Sequence, residues 1–320
     1  MDMYQNRKDL TCNSVRRLSK SYKEVMQMLP PNFEELEQYK DYTPLEDPHV
    51  GPVVDPYNGL VFYELSHVWG TGVPSYPGDA DVIFDHGVKH AQFGVQAFKV
   101  RTNFHTGTHM IAPIHMYCYG DDLETLTTDH FFGNGIILDL RNKGNWDKIT
   151  ADDLKAAGEI REGDMVAINT GWHHKYSDSL EYFGQAPGLT EDAAEYLISK
   201  KVKLVAVDMP YIDCPVATVL TAHTGRPGPF MRRLVPTYKE ETGRDAMEDY
   251  PGFYPAHKAL AKAGIPVIQQ MAGDVDDITG KRVTMYAAPW KIRRGDACPV
   301  RFTAIIDPTG EVRIDKGEAF

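Results

Sequence analysis

Residues 105–115 read His105-Thr-Gly-Thr-His109-Met-Ile-Ala-Pro-Ile-His115, three histidines at i, i+4 and i+10 around a glycine and a proline. Imidazoles four apart converge on one ion when their segment is helical. Thr-Gly-Thr has poor helix propensity, however, so a turn or extended loop that presents both rings is the better expectation. Gly107 allows a close backbone approach and Pro113 stiffens the exit. A lone histidine is usually an ordinary packed residue. Three within eleven, held between a Gly and a Pro, point to a site. What the stretch lacks is an acid.

Outward from it, short β-rich runs stand between turn signals: LVFYELSH, DVIFDHG and FKVRTNF before the stretch or entering it, then GIILDL, DMVAINTGW, KLVAVDMP, IPVIQQ and VRFTAII after it. Two amphipathic helices are placed by their caps, TADDLKAAGE opening at Thr150 and TEDAAEYLISKK at Thr190. There is no internal repeat, so residues 59–320 read as one mixed α/β domain. Residues 1–58 are polar and Pro-punctuated, with helical segments expected near 14–28 and 32–40; they read as an arm, partly helical, suited to wrapping a neighbouring subunit.

The 320 residues are 42% hydrophobic, enough for a sizeable core, and carry a formal net charge of −11. No overall basic field exists to gather nucleic acid or anionic lipid, so the expected partner is a small-molecule substrate. Four cysteines far apart, with no CxxC pair, suit reduced thiols. The N-terminal residues have no apolar h-region, and no run approaches 18 apolar residues. The expectation is a cytoplasmic protein without a membrane span.

The motif HTGTHMIAPIH resembles the signature of the cyclase family, which includes bacterial kynurenine formamidases and isatin hydrolases: H-x-G-T-H-x-D-x-P-x-H. The resemblance extends in order through YELSHVWGTGVPSYPGD, REGDMVAINTGW, VKLVAVDMPYID, HKALAKAGIPVIQQMAGDVDDI and APWKIRRGDACPVRFTAII, covering roughly residues 60–316. It implies a swivelling α/β fold with a central barrel-like mixed sheet flanked by helices, assembled as a homodimer or homotetramer. It also implies metal ligands at His105, His109 and His257, and a proton-transferring residue at His115. Two family carboxylates have no counterpart, since Ile111 stands at the signature Asp and Gln269 at a downstream Glu.

Two dications a few ångströms apart repel by about 15–20 kcal/mol at an effective dielectric near 20. Neutral imidazoles do not offset that, isoleucine has no donor atom, and Gln269 offers one neutral carbonyl. The expectation is therefore at most one divalent ion, zinc or manganese, with a metal-free site as the alternative. With one ion, the chain reads as a hydrolase opening an amide, formamide or lactone bond of a small cyclic or aromatic substrate. Without one, His115 and Gln269 suit lyase, dehydratase or isomerase chemistry. A catalytically silent binding protein is the third reading.

Trp69, Tyr76, Phe104, Trp172 and Tyr211 lie in or beside family-like loops and are candidates to wall the substrate. Asp79 and Asp208 are expected to stabilise turns and strand ends, and Cys118 and Cys214 to be buried thiols. His223, His173 and His174 are expected in loops. Arg226, Arg232 or Arg233 of the TGRPGPFMRR loop are candidates to meet a substrate carboxylate.

Overall fold

The computed structural model describes residues 51–89, 94–218 and 234–311. The two helices expected in the arm, His223 and the TGRPGPFMRR arginines lie outside the described residues.

Fourteen strands are described: β1 Val53–Val54, β2 Val61–Glu64, β3 Ile83–Val88, β4 Ala97–Arg101, β5 His109–Ile111, β6 Phe132–Asp139, β7 Lys148–Ile149, β8 Met165–Asn169, β9 Gly188–Leu189, β10 Leu204–Val207, β11 Val267–Gln269, β12 Arg282–Tyr286, β13 Ala297–Pro299 and β14 Thr303–Ile306. Ten of them form one mixed sheet in the order β1-β2-β14-β12-β6-β8-β10-β11-β5-β13. Its centre is parallel, β6 to β8 to β10 to β11, and antiparallel strands flank it on both sides. Two residues of the stretch read as arm, Val53 and Val54, pair with β2 at the sheet edge.

The central strands read as near-continuous apolar runs because both sheet faces are covered. Along β8, Val166 and Ile168 enter one apolar cluster while Met165 and Ala167 enter the other. On β10, Val205 and Val207 likewise oppose Leu204 and Ala206. The first cluster also takes Leu154, Leu197 and Leu260 from the helices Ala151–Ala157, Glu191–Ser199 and Pro255–Lys262. Thr150 caps its helix through a reciprocal box with Asp153. Thr190 occupies the other N-cap position but makes no side-chain capping bond there.

The register positions the site. Strand β5 runs antiparallel to β11, with His109 opposite Gln269 and Ile111 opposite Val267. His109 thus starts its strand beside the C-terminal ends of the parallel strands, where open α/β sheets form their ligand crevices. Strand β13 pairs with the other side of β5, Pro299 opposite His109 and Ala297 opposite Ile111. Ile111 is 2% exposed and lies in the first apolar cluster with Val267 and Ala297. A hydrocarbon-packed position thus stands where the family signature has its acid.

Candidate active site

The turn before β5 is extended and tight rather than helical, as Thr-Gly-Thr requires. Gly107 adopts a left-handed φ of 65°, and a Cβ there would lie 2.8 Å from Trp69 Cδ1. Trp69 also donates its indole N–H to the Thr106 carbonyl at 3.1 Å. The peptide bend and the indole thus fix one another. Thr108 extends the frame: its hydroxyl accepts from His67 N and donates to the Gln270 carbonyl. Gln270 itself sits at φ 61°, a strained position for a non-glycine residue.

The four histidines come together. Ring centroids are 5.3 Å apart for His105 and His109, 4.4 Å for His105 and His115, and 6.1 Å for His115 and His257. His109 is fully buried and its Nδ1–H donates to the Gly107 carbonyl at 2.7 Å, which leaves Nε2 with its lone pair, buried and without a hydrogen-bond partner. Burial, with His105 nearby, lowers the His109 pKa to about 3. Burial, followed by its three histidine neighbours, holds His257 well below its ordinary value too. These two rings are neutral donors, the protonation state that metal ligation requires.

Sequence reasoning expected no acid among these rings, and that expectation is corrected by Asp296. Its Oδ2 lies 3.0 Å from His105 Nε2 and 3.1 Å from His115 Nδ1. Hydrogen bonds from His105 and His115 hold its carboxyl well below the usual carboxylate range. Asp296 precedes β13, and Ala112 N bonds to its carbonyl at 2.8 Å, so pairing with β5 delivers it to the site. In the sequence it sits in Arg-Arg-Gly-Asp, 181 positions from His115, where nothing distinguishes it from a surface turn.

A group of side chains capable of holding a metal ion is present. One ligand atom from each of His105, His115 and Asp296 lies within 4.8 Å of the others, and the orphaned Nε2 of His109 belongs to the ring beside them. Gln269 is 6% exposed and lies opposite His109 in the sheet.

The aromatic candidates divide. Trp69 contacts the histidine turn and stacks edge-on with Phe84, while Phe104 and Tyr76 are partly buried against the first apolar cluster. Tyr76 meets Tyr211 edge to face, and burial with nearby Tyr254 pushes its hydroxyl far above the ordinary value. Tyr211 is 4% exposed behind it. Trp172 is buried, and its indole N–H is satisfied by the Tyr182 carbonyl at 2.9 Å. It packs in the first apolar cluster, with the Lys175 ammonium 4.0 Å from its ring centre.

The expected burial of Cys118 is corrected, while Asp79 and Asp208 do brace a turn and a strand end. Cys118 is exposed, whereas Cys214 and Cys298 are buried. Asp79 accepts from Asn103 Nδ2, tying its turn to the approach of the histidine stretch. Asp208, His173 and His174 form a second cluster at the ends of β8 and β10, more organised than a loop.

The mixed sheet, with a histidine and carboxylate cluster at the carboxyl ends of its parallel strands, has a cyclase-type α/β fold. The family model described as "Putative cyclase" matches residues 63–214. A kynurenine formamidase of Bacillus cereus is 26% identical over 246 residues, 77% of this chain and 96% of that protein. An isatin hydrolase of Roseibium aggregatum is 26% identical over 219 residues, 63% of this chain and 72% of that protein. Among solved structures, an isatin hydrolase bound to the product analogue thioisatinate superposes with a TM-score of 0.62 at 23% identity, covering 77% of this chain and 92% of that one. The chain is thus similar to cyclase-family proteins over residues 63–214 of the family model and along most of the length of these relatives.

Proposed function

We propose that the protein is a hydrolase that opens an amide, formamide or lactone bond of a small cyclic or aromatic substrate, with one divalent ion and His115 as proton shuttle. The observation that carries this reading is the Asp296 carboxylate set between His105 and His115, beside the unpartnered Nε2 of His109. His105, His109, His257 and Asp296 would hold the ion. When bound, a zinc or manganese ion supplies Lewis acidity toward a substrate carbonyl and lowers the pKa of water.

The chain's own residues perform the remaining work. Asp296 fixes the His115 ring through Nδ1, leaving Nε2 to accept a proton from the attacking water and return it to the leaving nitrogen or oxygen. Gln269, paired opposite His109 in the sheet, would donate an amide N–H to a developing oxyanion. Trp69, Phe104 and Tyr76 supply apolar walls that exclude water from one side of the site. The names of the relatives, kynurenine formamidase and isatin hydrolase, support carbonyl hydrolysis on an aromatic scaffold.

The His115–Asp296 pair also favours a second reading, in which the same imidazole moves protons without an ion and performs elimination or isomerisation. Purified protein stripped with chelator separates the two. Loss of turnover on an amide, formamide and lactone panel, restored by added zinc or manganese, supports the first. Unchanged turnover after stripping, with the metal content confirmed as zero, overturns it.

A further inference from the structure

Beyond β8 the chain turns sharply at Gly171, φ 75°, into the single 3-10 turn Trp172–Lys175. This turn places the His173 and His174 rings 4.0 Å apart, tilted by 39°. The fully buried Asp208 carboxylate accepts from the backbone N–H groups of Thr170 and Trp172 and from the Thr170 hydroxyl, and it lies 3.1 Å from His173 Nδ1. Held this way, His173 turns Nε2 inward. That atom is buried without a hydrogen-bond partner, on a side chain only 6% exposed, and it aims at Asp276 Oδ2 3.5 Å away. His174 Nε2 lies 2.7 Å from the same oxygen. The other Asp276 oxygen is occupied by Asn169 Nδ2 at 2.8 Å and Arg141 Nη1 at 3.5 Å.

We infer that His173, His174 and Asp276 form a second divalent-cation site of the zinc class, independent of the His105–Asp296 cluster. Their ligand atoms lie within 4.8 Å of one another. Two imidazoles and one carboxylate suit a borderline cation such as zinc better than calcium or magnesium, which favour all-oxygen sets. Asp208 behind His173 supplies the carboxylate support that fixes a ligating imidazole's tautomer and orientation. Charge agrees: Arg141 pairs with Asp139 and Asp276 while Asp208 stands against His173, a formal balance of −2 from those four groups. His174 and Asp276 are 65% and 33% exposed, so the ion enters from solvent and completes its shell with water. Once there it ties the turn after β8 to the helix Val275–Ile278.

The test is zinc titration of chelator-stripped, full-length protein, read by bound metal per chain and by the zinc-induced rise in Tm. The wild type should take up two zinc ions. His174→Ala should lose one and keep the ion that Asp296→Asn loses; His174 is exposed, so the fold tolerates its truncation. Asp276→Asn gives a second, near-isosteric variant with the same expected loss. If His174→Ala and Asp276→Asn both bind as much zinc as the wild type with the same Tm rise, the site is refuted and the cluster is a proton-linked ion pair only. If the wild type binds a single ion that His174→Ala removes and Asp296→Asn does not, the second site stands and the one-ion reading of the four-histidine pocket falls.

Discussion

Asp296 is the residue on which the chemistry turns. It gives the four-histidine pocket one negative charge, enough to favour a single dication but not to offset the repulsion between two. Replacing it with asparagine keeps the shape and removes the charge. Asp296→Asn should remove the pocket's ion from the zinc titration, read by competition with a chromophoric chelator. His115→Ala should lower kcat by about 10²–10⁴-fold with little change in binding of a substrate analogue; near-normal turnover would remove it as the proton shuttle. Ile111 is the complementary case. Restoring the family's acid with Ile111→Asp would bury a carboxylate among Val267 and Ala297, so metal-free protein should lose roughly 3 kcal/mol or more in a urea melt. His105, His109 and His115, with Gly107 and Pro113, were legible from their spacing, whereas His257 came only from the family resemblance. Asp296 was not legible, because only the pairing of β13 with β5 carries it there.

Elements supply the geometry that single residues need. The bend at Gly107 against Trp69 sets where His105 and His109 point, and Gly107→Ala would combine a left-handed φ with a 2.8 Å clash. A loss of about 1–3 kcal/mol is expected, with a shift in tryptophan emission as Trp69 moves. The turn after β8 carries a pH signature of its own. Burial opposes charge on His173, but the neighbouring Asp208 and Asp276 carboxylates prevail and raise its pKa from 6.5 to about 9. A histidine whose folded pKa lies above its unfolded value contributes stability that is complete below about pH 6.5 and fades as pH rises through about 9. In chelator-stripped protein the stability gap between wild type and His173→Gln should therefore narrow from pH 6.5 to 9, measured by urea melts across that range. A constant gap would contradict the ion-pair assignment. The eight strands read from apolar runs appear close to their expected places, since periodicity and turn residues are local signals. The His173–His174 pair was read as a loop because its partner, Asp276, lies 102 positions away from His174.

At the scale of the whole molecule, the sheet order explains why the site is where it is. Parallel strands β6, β8, β10 and β11 end together, and antiparallel β5 begins beside them, so residues from the 105–115 stretch and the 269–270 segment meet at one crevice. This arrangement was legible only through the family resemblance, because long-range pairing leaves no periodic mark in the sequence. Among the described residues no helix is long and apolar enough to cross a membrane. The polar composition of residues 1–58 gives the expectation that they wrap a neighbouring subunit; residues 1–50 lie outside the described residues. Deleting residues 1–50 should lower the mass measured by light scattering, and an unchanged oligomer would contradict the assignment. The most direct test of the central claim is anomalous diffraction from crystals of the full chain soaked in zinc, recorded on both sides of the zinc edge. The account predicts one peak in the pocket bounded by His105, His109, His257 and Asp296. Two peaks within that pocket, or none, would contradict it.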